Sequence, residues 1–490
     1  MRPTIKFLTD ELISRIISEA IDVLCKIGME IHNKTILTML SNSGCKIDIE
    51  RNHVLFTNEI IEKSLKTSPE SFRLYDVKGA QTHDFSRNNV YFTPGSTALN
   101  ILDGKTGKMR RAVTSDYVNF VKIAEQLDYI ASTSTALIPF DVNNKISDSY
   151  RLFLSFLFGK KPVVTGAFTI ESFEVMKDFQ LVIRGSRQAL KEKPLTIFSC
   201  CPTSPLKWSE VTSQNLIDCA EYSIPVEFIS MPLSGFMAPV TLTGTLIQHT
   251  AETLCGVVIS QTANPGTPML YGGSPAIFDV RHETTPMGAI ETMMIDCAYN
   301  EIGKYLHLPT QAYISLSDSK QLDTQAGIES GIGAVLAALA GINNVSGPGM
   351  LDFESCLSLE KLVADNEICG MAYRLIDGIE PKDDFPSLGI FQELLREKHL
   401  LISEHTRKHL KKEHFVPGLV IDRTNRTRWQ QEGALSFKQR VDNEVKKLLE
   451  SYEPSDLPEN TRNELIMLMK SQALLYDQEK LPDIPYQDLE

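Results

Sequence analysis

Several absences narrow the chemistry before any motif is read. The chain has no long basic stripe, and its 49 Lys and Arg are outnumbered by 62 Asp and Glu, giving a net charge of −13 over 490 residues. Such a surface repels phosphate backbones, so nucleic acid is not expected as a partner. No apolar run reaches the roughly 18 residues that a membrane helix needs. The start, Met1 to Asp10, turns acidic before any stretch that would serve as a signal peptide. The nine cysteines (25, 45, 200, 201, 219, 255, 297, 356 and 369) contain no C-x-x-C, and adjacent Cys200 and Cys201 pair only through a strained bond. Reduced thiols in a cytoplasmic protein are expected, with no membrane association and no metal site. No G-x-G-x-x-G follows an early strand, which counts against a Rossmann fold.

What is present reads as three regions. Hydrophobic residues make up 42% and charged residues 23%, ordinary for a globular protein. Residues 1–85 carry helical patterns: Thr9 to Ile27 with Gly28 as its stop, Lys34–Ser43 stopped by Gly44, and Thr57–Leu65. From about 86 to 380, short apolar or β-branched runs alternate with helical stretches. The runs are Asn89–Thr93, Tyr129–Thr135, Pro162–Phe168, Pro194–Cys200, Pro225–Ser230, Pro268–Gly272, Pro309–Ser315 and Ile342–Ser346. Five begin at proline, which suits a first strand position because its missing N–H is least needed there. The spacing predicts helices near 114–127, 148–159, 171–189, 208–222, 243–261, 285–305, 323–340 and 359–377. Eight such units predict an α/β fold, a (β/α)8 TIM barrel, with an open doubly wound sheet as the alternative. Ala98–Val113, with the turn Asp103-Gly-Lys-Thr-Gly107, predicts a hairpin inserted after the first strand. Residues 381–490 form a charged helical extension, with helices expected over 388–412, 434–451 and 459–476.

In a barrel, chemistry belongs at the C-terminal strand ends. Here these are rich in Gly, Ser, Thr and rings and poor in Lys, His and Glu. A Schiff-base lyase needs a lysine there, and only Lys320 is near; a metallohydrolase needs several His and Asp, and only Asp318 ends a strand. Phe92, Phe168, Phe198, Tyr271 and Tyr313 either converge on the mouth as a cation-binding cup or fill barrel layers. Ser346-Gly-Pro-Gly349 either cradles an anion or simply closes the barrel. His405 and His409 sit one helical turn apart, but His-Thr-Arg-Lys-His lacks the Glu of a metalloprotease helix and is flanked by four cations.

Further motifs carry a family resemblance: Leu308-Pro-Thr310, Ser317-Asp-Ser-Lys320, Asp323-x-Gln325-x-x-x-Glu329, Gly341-x-Asn343, Gly347-x-Gly349-Met-Leu351 and Asp365-x-Glu367, together with Leu102 to Arg111, Gly272 to Arg281, Glu413-His-Phe415, Asp422-Arg423, Trp429 and Gly433. Over nearly its whole length the chain resembles the trimethylamine methyltransferase family. The resemblance implies a barrel that moves a methyl group from a methylated amine to the corrinoid (cobalamin) of a separate corrinoid protein. No D-x-H-x-x-G cobalamin motif occurs here, so the corrinoid is expected on the partner and no cofactor is expected to be held tightly. The trimethylamine enzymes of the family carry pyrrolysine, and the matching region, Ser315–Ser319, has only standard residues. This chain is therefore similar to the non-pyrrolysine branch, demethylases of quaternary amines such as glycine betaine, proline betaine and carnitine. A quaternary nitrogen leaves as a neutral tertiary amine, so the protein need only desolvate and aim it. The resulting expectation is a homo-oligomeric quaternary-amine methyltransferase. Phe92, Phe168, Phe198, Tyr271 and Tyr313 would cage the cation, and Ser317 and Asp318 would stand at the mouth as catalytic residues. Arg281 and the loop amides of Gly347 and Gly349 would meet the substrate carboxylate. A lyase or aldolase on a small anionic substrate, and a betaine-binding protein without catalysis, are the alternatives.

Overall fold

The computed structural model describes residues 2–382 and 387–483. Eight short parallel strands form its centre: β1 (Tyr91–Thr93), β2 (Thr133–Ser134), β3 (Val163–Thr165), β4 (Thr196–Cys200), β5 (Val226–Phe228), β6 (Met269–Leu270), β7 (Gln311–Tyr313) and β8 (Asn344–Ser346). Each falls inside one of the eight expected runs. The prolines act as carbonyl acceptors where no N–H is required: Pro162, Pro225, Pro268 and Pro309 accept from Thr133, Phe198, Val226 and Tyr271 at 2.8–3.2 Å.

The ladders register as two sheets rather than one. Five strands run in the order β6-β5-β4-β3-β2, and three in the order β7-β8-β1. Their edges meet on both sides. Tyr271 bridges Thr310 between β6 and β7, and the Ala131 N–H donates to the Phe92 carbonyl at 2.8 Å between β2 and β1. Helices follow the strands at 114–126, 147–158, 170–184, 210–222, 242–263, 290–305, 324–340 and 359–376. None of the described helices is long and apolar enough to cross a membrane.

The N-terminal region contains the three expected helices, Asp10–Asp22, Lys34–Asn42 and Asn58–Thr67, the first capped by Thr9 and continued by a wider turn to Gly28 at φ +85°. It also contains strands that the expectation of helices alone missed. Arg73–Tyr75 and Gln81–Asp84 pair as a hairpin. Phe72, Leu74 and Phe85 beside it pack against Val164, Ile197 and Leu270 from β3, β4 and β6. This apolar plug closes the N-terminal end of the strands, each side chain contributing about 1.5–3 kcal/mol by burial.

The inserted hairpin is present as Asn100–Leu102 against Met109–Arg111, and Cys356–Leu357 and Met350–Leu351 extend it to four strands. In the tail, the helix expected over 388–412 is two, Leu388–Glu397 and Glu404–Glu413, because Lys398 takes a left-handed conformation at φ +63°. Phe437–Glu450 packs on helices 114–126 and 359–376, and Glu459–Leu475 on 147–158 and 170–184. Residues 383–386 and 484–490 of the expected tail lie outside the described residues.

Candidate functional site

Side chains alternate across a strand, so one residue in two faces the centre. Hydrogen bonds across the centre identify the inward set. Thr93 of β1 donates to Asn344 Oδ1 at 2.9 Å and meets Ser132 Oγ at 2.5 Å. Asn344 Nδ2 donates to Glu227 Oε2 at 3.1 Å, and Ser199 Oγ donates to Glu227 Oε1 at 2.8 Å. The Asn344–Glu227 bond spans the two sheets, from β8 to β5. Tyr313 Oη shares a 2.9 Å hydrogen bond with Ser96 Oγ, and the Ser96 N–H donates to Glu354 Oε1 at 3.1 Å.

The centre is thus polar and acidic. Burial raises the Glu227 carboxyl to about 7, opposed by its bonds from Ser199 and Asn344. Burial likewise raises Glu354 to about 8, and the nearby Glu227 adds to the shift. Cys201 is pushed up to about 12 by burial and by both carboxyls. Tyr313 is raised as well, first by burial. Among the described residues no lysine or arginine pairs with Glu227 or Glu354. Ser96, Gly166, Ser199, Cys201 and Glu354 remain partly exposed, so the cluster opens at the C-terminal strand ends. Gln311 Oε1 accepts from the Gly273 N–H at 3.2 Å, while its Nε2 is buried without a partner among the described residues.

Glu354 arrives by unusual backbone. Asp352, Phe353 and Glu354 all have positive φ, 51°, 55° and 69°, a conformation that costs L-residues about 1–2 kcal/mol each. The Ser355 N–H and Oγ bond back to Asp352, and the Asp352 N–H donates to the Ser319 carbonyl at 2.9 Å. Ser315, at the end of β7, is also left-handed, at φ 71°. Such strain concentrates at functional sites.

The sequence-predicted residues divide sharply. Tyr313 faces the centre. Three of the other rings do not, which corrects the expected cage: Phe92 packs edge-on against Tyr373, Phe198 against Phe173, and Tyr271 donates to Thr250 Oγ1 at 2.9 Å. All three occupy outward strand positions, filling the layer between strands and helices. Phe168 is 45% exposed at the rim, but Arg151 lies 4.7 Å over its ring. Arg281 points to solvent, its side chain 78% exposed and paired with Asp279 at 2.6 Å, so it does not reach the centre. The Gly347 and Gly349 amides already donate to the Thr93 carbonyl and to Asp365 Oδ2, leaving neither for a substrate carboxylate. A side chain at Gly347 would collide with the Ile314 carbonyl, so that position is glycine for close packing.

Ser317 and Asp318 form a latch between two loops. Ser317 Oγ and the Asp318 N–H donate to Glu329 Oε2 at 2.5 and 2.9 Å. Asp318 in turn accepts from the Met287 and Gly288 N–H groups, both at 2.9 Å. Burial raises Asp318 to about 6. Lys320 donates to the Asp318 carbonyl at 2.7 Å, pairs with Asp352 at 3.6 Å and lies 3.9 Å over the Phe353 ring. That ammonium is committed to loop structure.

Glu227 and Glu354 are the residues that sequence reasoning missed. A charge between Val226 and Phe228, inside a strand otherwise apolar, was the signal for the first.

A family profile described as Trimethylamine methyltransferase (MTTB) matches residues 1–472. Among individual relatives, the chain is 29% identical to a glycine betaine methyltransferase of Desulfitobacterium hafniense, covering 93% of this chain and 94% of that one. It is 28% identical to a trimethylamine methyltransferase from another strain of that species, covering 92% and 90%. Of solved structures, the monomethylamine methyltransferase of Methanosarcina barkeri superposes with a TM-score of 0.50 at 11% identity, over 91% of this chain and 88% of that one, a likeness of fold.

Proposed function

Because the chain belongs to the trimethylamine methyltransferase family, we propose that it takes a methyl group from a quaternary amine and passes it to a corrinoid carried by a separate protein. The observation that carries this reading is the Glu227–Glu354 pair, one carboxyl buried and one partly exposed at the opening, with no paired side-chain cation among the described residues. A buried charge demands a partner, and a permanently cationic ligand would supply it. The glycine betaine relative supports that ligand class.

The residues divide the work as follows. Glu227 and Glu354 place negative charge opposite the nitrogen, and the Tyr313 ring offers a face to its methyl groups. The Asn344 and Ser199 bonds hold Glu227 still, and the Ser96 bond holds Glu354. When the methyl carbon leaves, the nitrogen keeps the C–N electron pair and departs as a neutral tertiary amine, so no side chain need protonate it. The corrinoid partner's metal is the methyl acceptor and supplies the pair for the new bond. Apolar residues on the loops around the opening, Phe140, Phe168, Met231 and Phe236, with Phe236 stacked on Phe278 at 4.8 Å, give that partner a surface to meet. The reading includes closure of the eight strands into one (β/α)8 barrel over 86–380, supported by the bonds at both seams.

The test combines the protein with a reduced free corrinoid and a panel of glycine betaine, proline betaine, carnitine and trimethylamine, following methylation by absorbance. Transfer from at least one quaternary amine is expected, and transfer from none overturns the proposal. Lys320→Ala separates the lyase alternative, which requires that amine: methyl transfer is expected to persist in the variant.

A further inference from the structure

Glu227 and Glu354 reach the centre from opposite directions, one from the middle of β5 and the other from the left-handed turn beyond β8. The groups facing them are hydroxyls, amides, a thiol and a phenol: Ser199 and Cys201 from β4 and its end, Asn344 from β8, Tyr313 from β7, and the Ser96 N–H from the turn after β1. None of these carries positive charge. The nearby Lys320 ammonium is held by Asp352, the Asp318 carbonyl and the Phe353 ring. Glu227 is fully buried and Glu354 only partly exposed, with no cation facing either, so loss of hydration favours a proton retained on the pair.

Resting on the quaternary-amine reading, we infer that the free enzyme holds one proton on the Glu227–Glu354 pair and releases it when a permanent cation is seated. Binding is then an exchange of one positive charge for another. A quaternary nitrogen has no N–H to offer, so only its charge and its methyl surfaces are recognised. A neutral molecule of the same shape cannot displace the proton and is excluded. The exchange also limits how tightly the ground state is held. Part of the attraction between cation and carboxylates is offset by loss of the proton, which matters because that cation loses its charge in the transition state. The values of about 7 for Glu227 and about 8 for Glu354 agree with a pair that carries one proton near the midpoint of that range, slightly above neutral pH.

Linkage fixes the sign. Protons compete with the ligand below the pair's titration, so affinity rises with pH, about tenfold per unit for each proton displaced, and levels off above about 8. Calorimetry on the full chain with glycine betaine, carnitine and tetramethylammonium, in buffers of different ionisation enthalpy at about pH 7.5, midway between the two carboxyls, counts the protons. Release of close to one per ligand is expected. Glu354→Gln and Glu227→Gln are each expected to lower the release, and the double variant Glu227→Gln, Glu354→Gln to show none and a flat pH profile, since burial raises each carboxyl first. Binding by the unaltered protein without proton release overturns the inference and leaves the quaternary-amine reading standing. Binding of none of the three ligands overturns both. Infrared spectra of the ligand-free protein add a check independent of binding: a carboxylic-acid band at pH 6.5 is expected, lost in the double variant Glu227→Gln, Glu354→Gln, and its absence overturns the inference.

Discussion

Asn344 is the residue on which the polar centre turns. Its amide donates to Glu227 while its carbonyl oxygen accepts from Thr93, so one side chain ties β8 to both β5 and β1. Asn344→Ala leaves Glu227 Oε2 without its donor and takes from Thr93 one of its two partners. A loss of about 1–3 kcal/mol in chemical denaturation is expected, together with a further rise in the proton affinity of Glu227, whose carboxylate that bond favours. The surrounding residues show what the sequence discloses at this scale and what it withholds. Thr93, Ser199 and Gly272 face inward, while their neighbours Phe92, Phe198 and Tyr271 face the helices, and a one-residue shift in parity exchanges the two sets. Rings are conspicuous in a sequence, so they attract the assignment, yet in this fold their bulk suits the outer layer. Glu227 was legible as a charge in an apolar strand. Glu354 was not, because only the left-handed run 352–354 turns its carboxyl toward the strands.

At the scale of elements, the loop after β7 is held less by its own turn than by the helix that follows it. Glu329, on helix 324–340, receives both Ser317 and Asp318, and Asp318 then receives the backbone of residues 287 and 288. Glu329→Ala removes the first link of this chain. Faster proteolytic cleavage within 315–319 is expected, with a stability loss of about 1–3 kcal/mol and a rise in KM. The repeat of strands and helices was readable because prolines mark strand starts and Ser, Thr or Asp mark helix starts, as Asp323 does by accepting from the Ala326 N–H at 3.0 Å. The hairpin 73–84 was not readable. Its strands, Arg73-Leu-Tyr75 and Gln81-Thr-His-Asp84, contain one β-branched residue, and their stability comes from Val164, Ile197 and Leu270, distant in sequence.

For the whole molecule, the raised carboxyls set a distinctive pH response. A carboxyl whose folded pKa exceeds its unfolded value keeps its proton in the folded state after the unfolded chain has lost it. Stability therefore falls as pH climbs through that window, from about 4.5 to about 7 for Glu227 and from about 4.5 to about 8 for Glu354. Buried His83 and His249, both lowered to about 3, act in the opposite direction below about 6.5, so the net curve blends both effects. The double variant Glu227→Gln, Glu354→Gln isolates the acidic part. Its denaturation free energy is expected to gain about 6 kcal/mol on the unaltered protein between pH 5 and pH 8, the two carboxyls together.

The floor of the site and its walls are also far apart in the order of synthesis. Phe72, Leu74 and Phe85 leave the ribosome early, as does β1, but β1 takes its ladder partner from Asn344 to Ser346. Until that late strand emerges, a greasy plug and a bare strand edge wait in the nascent polypeptide. Expression yield should therefore respond to molecular chaperones and to slower translation more strongly than the stability of the finished protein would suggest.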